Sequence, residues 1–415
     1  MLGRGTSGGG GRLALLGYAV LGGVVVWWTW RALHDPHGFD LRLYYRGGQV
    51  AWATGHPERQ STWDGTPLLA AAMAIVTRLF SLEAAADSIT VVNAGVVLGA
   101  VALALRRLRG QLSPVWWWLT AVALLSFGPI MSTVWWKQFN IIALALALAG
   151  FELLRARRTQ PAAALIGLSV ALKPLVFLLP LILLARRETR RAGALAIGWV
   201  VALSMSAQAL LAVRAHDLGA INPLPAIQNF SDKAKPGYVW ACQAVNFSPG
   251  SLLCRVAGPQ DWMLQRVAVW VAVALLGACV FAVLRGRGTS SWEAFAFACP
   301  LSVMLSPLDW AHYQIVLAPL FVLLLVRFTH DSAGVGAWIG VVAAFALASL
   351  MWLPYGTLPG VLSGLLAGHV ATVGRQIVHE ENSVAVVAEL AQYVLLITGV
   401  LWYRGHQDLN PAAAR

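Results

Sequence analysis

Long apolar runs separated by short clusters of arginine constrain this chain more than any other feature of its sequence. Hydrophobic residues make up 58% of the 415 residues and charged residues only 12%, whereas a soluble domain contains about 25% charged residues. Apolar runs of this length keep their backbone groups paired inside a bilayer only as helices. The sequence therefore predicts an all-α, polytopic membrane protein. No connection is long enough for a separate soluble domain, so residues 1–415 are expected to form one integral-membrane domain.

The basic clusters predict on which side of the membrane each connection lies. Few acids accompany them, and connections rich in arginine remain in the cytoplasm. The clusters are Arg4 with Arg12, residues 106–109, residues 155–158, residues 186–191, and Arg285 with Arg287. The runs between them must then cross in pairs, which gives about twelve crossings with both termini inside. The net charge of +12 is thus assigned to membrane topology and not to nucleic-acid binding.

Three apolar segments need a separate interpretation. Residues 161–184 begin and end beside cytoplasmic clusters and contain Lys173-Pro174, which predicts a hairpin of two half-helices with Lys173 near its apex. Residues 67–80 are too few to cross about 30 Å of hydrocarbon, so a re-entrant or interfacial helix is expected there. Residues 13–30 are followed by no small-residue cleavage site, which favours a retained helix over a signal peptide.

Five polar segments between the apolar runs fall on the extracytoplasmic side in this topology. They are residues 34–64, residues 136–140, the Lys173 apex, residues 222–261 and residues 306–313. Such convergence on one face suits an active site at the membrane–water interface. We therefore expect a multi-pass protein of the plasma membrane whose site faces outward beneath its outer loops.

Asp40 is the strongest candidate for a catalytic residue. It lies in the sequence FDLRLYY, residues 39–45, soon after the first apolar run, and Arg42 and Tyr44 accompany it. An outer-face acid near the membrane border is well placed to act as a general base. The alternative is an ordinary loop aspartate or a helix cap.

Three further side chains are candidates for binding an anion. Gln138 and Asn140, with the preceding Lys137, are expected to open a helix on the outer side, where free N–H groups and the helix dipole favour negative charge. The alternative is plain capping of that helix. Lys173 is flanked by apolar residues, and charges inside a membrane are costly and usually functional. Its alternative is a lysine that snorkels to the surface.

Residues 306–313, SPLDWAHY, form the last candidate motif. Asp309 and His312 are three residues apart and would share a face of a helix, and His312 could donate to a phosphate or move a proton. The alternative is an interfacial aromatic belt that contains Trp310. Because HExxH and other metal-ligand spacings are absent, and because no nucleotide fingerprint occurs, no metal or cofactor is expected.

The outer loop of residues 222–261 is interpreted as a lid or an acceptor-binding segment. It contains Lys235, a candidate contact for the acceptor. The alternative is an ordinary structured connection. Cys242 and Cys254 in the same loop lie on the oxidising side, so they either form a disulfide or remain free thiols.

Taken together, these motifs resemble glycosyltransferase family 87 of the GT-C superfamily, the polyprenyl-phosphate-sugar-dependent enzymes of actinobacterial envelopes. The resemblance rests on DLRLYY at 40–45 with GHP at 55–57, KQFN at 137–140, GLSVALKP at 167–174 and SPLDWAHY at 306–313. Their order and spacing span most of the chain. The sequence departs from the family at GTP, residues 65–67, where Tyr-Pro-Pro is frequent, and at KQFN, where Gly-Gln-Asn-Asn is frequent.

The resemblance implies a GT-C bundle that transfers one sugar, with inversion, from a polyprenyl phosphate to a hydroxyl of a glycolipid or polysaccharide acceptor. It implies that Asp40 is the general base and that His312, Lys173, Gln138 and Asn140 stabilise the departing phosphate. Arg42, Tyr44, Lys235, Asp309 and Trp310 are the expected acceptor contacts. The form of residues 306–313 favours mannose, and arabinofuranose remains the alternative sugar. A lipid or solute transporter is the competing class because a broken hairpin also suits transport, and a non-catalytic scaffold is the third.

Overall fold

The computed structural model describes residues 8–34, 39–60, 63, 65–222, 290–306, 309, 311–331, 333–349 and 380–409, together with short pieces between 224 and 280. Regular structure in these residues is helical, apart from one isolated bridge between Arg109 and Leu112, which confirms the all-α prediction. The helices are α1 (Gly8–His34), α2 (Phe39–Thr54), α3 (Pro67–Leu79), α4 (Leu82–Leu108), α5 (Pro114–Ser126), α6 (Gly128–Trp135), α7 (Asn140–Arg155), α8 (Thr159–Leu172), α9 (Leu178–Ala185), α10 (Arg190–Ala215), α11 (Ser291–Met304), α12 (Ala318–His330), α13 (Val335–Ser349) and α14 (Glu380–Leu409). Short 3-10 helices cover Pro57–Arg59, Pro174–Val176, Leu218–Ile221 and Ala311–Leu317.

Within the described residues, four helical stretches are long and apolar enough to cross a membrane. They are Leu82–Leu108, Pro114–Trp135, Arg190–Ala215 and His312–His330. The protein is thus a helical membrane protein, and the count of twelve crossings stays a prediction. Residues 67–80 form the helix Pro67–Leu79, whose 13 residues reach about 20 Å at 1.5 Å per residue. That length is too short for a crossing, as the sequence predicted.

Side-chain caps explain why several helices begin where they do. Thr66 accepts a hydrogen bond from Leu69 N at 3.1 Å and is followed by proline at the first position of α3. Ser81 caps α4 through Ala84 N at 3.2 Å, and Ser113 begins α5 in the same way. Each cap satisfies an N–H group that the helix leaves open.

The predicted break at Lys173-Pro174 is confirmed. Lys173 ends α8 in an extended conformation, and α9 begins four residues after Pro174. The second half of the hairpin is α9, and it runs antiparallel to α11. At its start, Leu178 N donates to Ser302 Oγ near the end of α11 at 3.2 Å. After its end, the Arg186 guanidinium donates to Ser290 O at the start of α11 at 3.4 Å. Proline explains the break, since it has no N–H and excludes helical conformation before it.

One of the about twelve predicted crossings, residues 116–133, is divided into two helices. The first, α5, ends at Ser126, and α6 begins at Gly128. Pro129 lies in the first turn of α6, where its missing N–H carries no cost, and it cannot continue α5. The physical rule is the same one that breaks the chain at Pro174.

The two ends of the bundle differ in charge. Glu152 accepts hydrogen bonds from Arg107 at 2.5 Å and from Arg155 at 3.2 Å, which brings two of the basic clusters to one end. Asn93 lies fourteen residues before Arg107 on α4, about 21 Å away along the helix, and it donates to Gln138 O at 2.8 Å. The polar residues around Gln138 are therefore far from this basic end.

Among the described residues, the buried apolar side chains form two cores. A large core occupies the bundle, and a smaller one joins α2 and α3 and contains Leu41, Tyr44 and Met73. Gly48 allows the two helices to approach closely, because a Cβ there would lie 2.6 Å from the carbonyl carbon of Met73. Tyr44 belongs to the smaller core and Tyr313 to the larger, so the candidate site lies where the two cores meet.

Candidate active site

Asp40 lies in the first turn of α2, six residues after α1 ends at His34. Its side chain is 20% exposed, which leaves the carboxylate partly open to solvent. The side-chain amide of Gln138 donates to its Oδ2. Nε2 of His312 lies 3.8 Å from the same oxygen, beyond direct hydrogen-bond length. The carboxylate is thus held by an amide and lies beside an imidazole.

Gln138 is positioned by an unusual turn between α6 and α7. Lys137 has a left-handed backbone with φ of 56°, and Gln138 N bonds Thr133 O at 2.9 Å. The carbonyl of Gln138 accepts from the side chain of Asn93, so both backbone groups of Gln138 are fixed. Non-glycine residues with positive φ are uncommon and frequently lie at functional sites.

The helix after this turn begins later than the sequence analysis expected. Its first residue is Asn140, so Lys137 and Gln138 precede α7 and do not open it. The ammonium of Lys137 is buried and donates to Ala32 O at 2.9 Å, near the end of α1. Lys137 therefore ties α1 to the turn.

Tyr44 and Lys173 form the floor of the site. The hydroxyl of Tyr44 donates to Gln138 Oε1 at 3.0 Å, and it accepts a hydrogen bond from the ammonium of Lys173. The Lys173 nitrogen lies 4.9 Å from the ring centres of both Tyr44 and Tyr313, which are attractive cation–π contacts. Lys173 is only 2% exposed, so its side chain does not snorkel to water. Hydrogen bonds thus run from Lys173 through Tyr44 and Gln138 to Asp40.

The backbone carbonyl of His312 is held by hydrogen bonds, and its ring faces Asp40. Its carbonyl accepts from the side-chain amide of Asn140 at 3.1 Å and from the hydroxyl of Thr133 at 3.3 Å. In the part of the chain that the structure describes, Nε2 of His312 has no hydrogen-bond partner, although the residue is buried. Asn140 therefore positions His312 with the amide that was expected to meet an anion.

The structure places the remaining candidates less centrally. Arg42 is exposed on α2. Asp309 is fully buried but precedes the 3-10 helix Ala311–Leu317, so the expected shared helical face with His312 does not form. Trp310, Lys235, Cys242 and Cys254 lie outside the described residues, and their predicted roles stay predictions.

Sequence reasoning missed three residues that hold this site together. Asn93 is a fully buried polar side chain inside an otherwise apolar run, a signal that could have marked it. Tyr313 follows His312 directly and supplies the second ring against Lys173. Thr133 helps to fix His312, and nothing in its sequence context distinguishes it.

The arrangement has the parts of a proton-transfer and anion-stabilising site. A partly exposed carboxylate is oriented by an amide, an imidazole lies beside it, and a buried ammonium lies beneath. Among the residues described, no group of three or more His, Cys, Asp or Glu side chains could hold a metal ion. The side chains gathered around Asp40 can supply acid–base and electrostatic chemistry.

Comparison with known proteins gives one finding. A family model described as glycosyltransferase family 87 matches residues 66–307, which is more than half of the chain. The matched range contains Gln138, Asn140 and Lys173, whereas Asp40 and His312 lie outside it. No curated protein and no solved structure matches the chain.

Proposed function

The chain belongs to glycosyltransferase family 87, and from this premise we propose that it transfers one sugar from a polyprenyl phosphate to an acceptor hydroxyl with inversion. The family makes the protein a glycosyltransferase, as its motifs predicted. The donor, the sugar, the acceptor and the side of the membrane are the proposal. We assign the reaction to the extracytoplasmic face of the plasma membrane, because the site lies far from the end that carries the arginine clusters.

One observation carries the proposal. Asp40 and Gln138, which are 98 residues apart in sequence, are hydrogen-bonded, and His312 lies 3.8 Å from the same carboxylate oxygen. A carboxylate that is partly exposed and oriented by a neutral amide is suited to accept a proton from a substrate hydroxyl. A fully buried acid would have no access to the acceptor.

The proposed step is a single displacement. The acceptor oxygen attacks the anomeric carbon of the donor sugar while the bond between that carbon and the phosphate oxygen breaks. Asp40 takes the proton of the acceptor hydroxyl, and the polyprenyl monophosphate leaves with the bonding electrons. Because attack and departure occur on opposite faces of the carbon, the configuration inverts.

The side chains around Asp40 have complementary roles in this step. His312 donates to the departing phosphate, and the ammonium of Lys173 adds positive potential from beneath it. Gln138 keeps the carboxylate in position, and Tyr44 connects Gln138 to Lys173. The phosphate is a monophosphate, so these groups can stabilise its charge without a metal.

We propose that the sugar is mannose and that the acceptor is a glycolipid or polysaccharide in the outer leaflet. The sequence pattern Ser-Pro-x-x-Trp-x-His-Tyr at residues 306–313 supports the mannosyl branch of the family, and arabinofuranose is the alternative. The exposed Arg42 is assigned to the acceptor.

The test uses purified full-length protein in detergent with two radiolabelled donors that share one short polyprenyl phosphate and carry mannose or arabinofuranose. A membrane glycolipid extract serves as the acceptor. We expect a labelled product from the mannose donor and release of polyprenyl phosphate in equal amount. A product from the arabinofuranose donor alone would exclude mannose. The same protein is also reconstituted into liposomes. If neither donor is consumed and the intact donor instead crosses the liposome membrane, the proposed transfer is excluded.

A further inference from the structure

Two arginines from different helices make cation–π contacts with one tryptophan where α2, α3 and α10 adjoin. The guanidinium carbon of Arg78 lies 5.2 Å from the ring centre of Trp52, and that of Arg214 lies 4.5 Å from it. Both arginines are exposed, whereas Trp52 is half-buried. We call these three residues the Arg–Trp–Arg corner.

The charges of Arg78 and Arg214 have no acidic partner among the residues that the structure describes. Within the described part of the chain, neither Arg78 nor Arg214 forms an ion pair with a carboxylate. The nearby carboxylates of Glu58 and Asp217 instead bond the two ring nitrogens of His56 at 2.7 and 3.2 Å. Two like charges that are drawn to one ring repel each other, and a cation–π contact at an exposed site contributes only about 0.5–1 kcal/mol. The corner is therefore suited to take up an anion.

The position of the Arg–Trp–Arg corner indicates which kind of anion it binds. Arg214 is in the last turn of α10, a helix that begins with Arg190 and Arg191 at the basic end. The corner therefore lies at the end of the bundle opposite those clusters. On α3, Ile75 and Leu79 are exposed beside Arg78, and Phe80 follows them. Cationic and apolar surfaces thus adjoin each other.

From these observations we infer that the Arg–Trp–Arg corner binds the phosphate of an anionic phospholipid. Guanidinium groups bind phosphate oxygens through paired hydrogen bonds, and the indole ring keeps both groups in place. The exposed apolar side of α3 then lies along the acyl chains. The inference goes beyond sugar transfer, because none of the three residues belongs to the site around Asp40.

The experiment is native mass spectrometry of the purified full-length protein in detergent. The protein is titrated with dihexanoyl phosphatidylglycerol and, separately, with dihexanoyl phosphatidylcholine, which has the same chains but no net charge. The variants are Arg78→Gln, Arg214→Gln and the double substitution. Arg59→Gln is the matched control, since Arg59 is an exposed arginine on the neighbouring 3-10 helix.

We expect the wild-type protein to prefer the anionic lipid. Each single substitution should weaken its binding about tenfold, which corresponds to about 1.4 kcal/mol, and the double substitution should abolish the preference. Arg59→Gln should bind as the wild type does. Unchanged binding by the double variant would overturn the inference, as would equal binding of phosphatidylcholine. Displacement of the lipid by an equal concentration of inorganic phosphate would identify a general anion site instead. Because the readout is binding, it is independent of whether the protein transfers a sugar.

Discussion

Two polar clusters lie at opposite ends of this bundle, and they are built differently. At the basic end, Glu293 accepts from Arg327 at 2.5 Å, from the Tyr403 hydroxyl at 2.7 Å and from Ser290 N at 2.6 Å. Its side chain is 2% exposed, and both of its oxygens are bonded. At the other end, the carboxylate of Asp40 is 20% exposed, and the nearest imidazole is 3.8 Å away.

The difference separates a structural acid from a candidate catalytic one. Glu293 is closed to substrate, because α11, α12 and α14 each supply part of its surroundings. A buried acid whose oxygens are both hydrogen-bonded is held in one position. Asp40 is oriented but accessible, and the Nε2 atom beside it has no hydrogen-bond partner among the described residues. We therefore expect substitutions at the first cluster to alter stability and those at the second to alter the rate of transfer.

The largest effect is expected for Glu293→Ala. It removes the acceptor of three hydrogen bonds and the partner of Arg327, and breaking a buried ion pair costs about 3–5 kcal/mol. Because the side chain of Arg327 is 43% exposed and can be hydrated, we expect a loss near the lower limit, about 3 kcal/mol. Unfolding by SDS in mixed micelles measures it. Transfer per folded molecule should stay unchanged, and a stable but inactive variant would contradict the structural role.

Asp40→Asn should lower the rate of transfer and leave the stability of the protein unchanged. Asparagine is nearly the same size and can still contact Gln138, but it cannot accept a proton from the acceptor. Loss of a general base lowers the rate about a hundredfold or more, which corresponds to about 2.7 kcal/mol in the barrier. The measurement is transfer of radiolabelled sugar by purified protein at saturating donor.

The matched control for this variant is Asp87→Asn, because Asp87 is an exposed acid near the start of α4. That control should transfer as the wild type does, and both variants should unfold at the wild-type SDS concentration. A wild-type rate for Asp40→Asn would exclude Asp40 as the base.

The local features of this fold were readable from the sequence. The hairpin at Lys173-Pro174 follows from the chemistry of proline. That residues 67–80 form a helix too short to cross the membrane follows from their number. The break at Phe127, just before Gly128-Pro129, was equally readable and was missed, because the apolar run on either side was counted as one crossing. The capping sequence from Ser290 to Glu293 also marks the start of α11.

The contacts between helices were not readable in the same way. The hydrogen bond between Lys173 and Tyr44 joins residues 129 positions apart. Apolar runs are predicted one by one, and their hydropathy does not say which face of one run packs on another. The sequence could therefore predict that Asp40, Lys173 and His312 are candidates. It could not predict that Tyr44 and Gln138 connect Asp40 to the buried ammonium.

Tyr44→Phe tests that connection. The substitution removes the hydroxyl that donates to Gln138 and accepts from Lys173, and it keeps the ring that packs against Trp63 and Phe139. If the hydroxyl positions Gln138, transfer should fall about tenfold, the effect of about 1.4 kcal/mol in the barrier. Donor affinity should change little, so the loss should appear in kcat and not in KM. An unchanged kcat would show that Gln138 is held well enough by its backbone.

Tyr403→Phe is the counterpart at the basic end and should have the smallest effect. Its hydroxyl donates to Glu293 Oε1 at 2.7 Å, and its ring packs against Phe297 and Trp402. Phenylalanine keeps that packing, and Arg327 and Ser290 N still bond the carboxylate. The loss should be that of one hydrogen bond, about 1 kcal/mol in the free energy of unfolding. SDS titration measures this loss, and the transfer rate of the folded variant should equal that of the wild type. The two Tyr→Phe variants thus compare the ends of the bundle with one chemical change. A fall in kcat for Tyr403→Phe as large as that for Tyr44→Phe would contradict the division into a structural and a catalytic cluster.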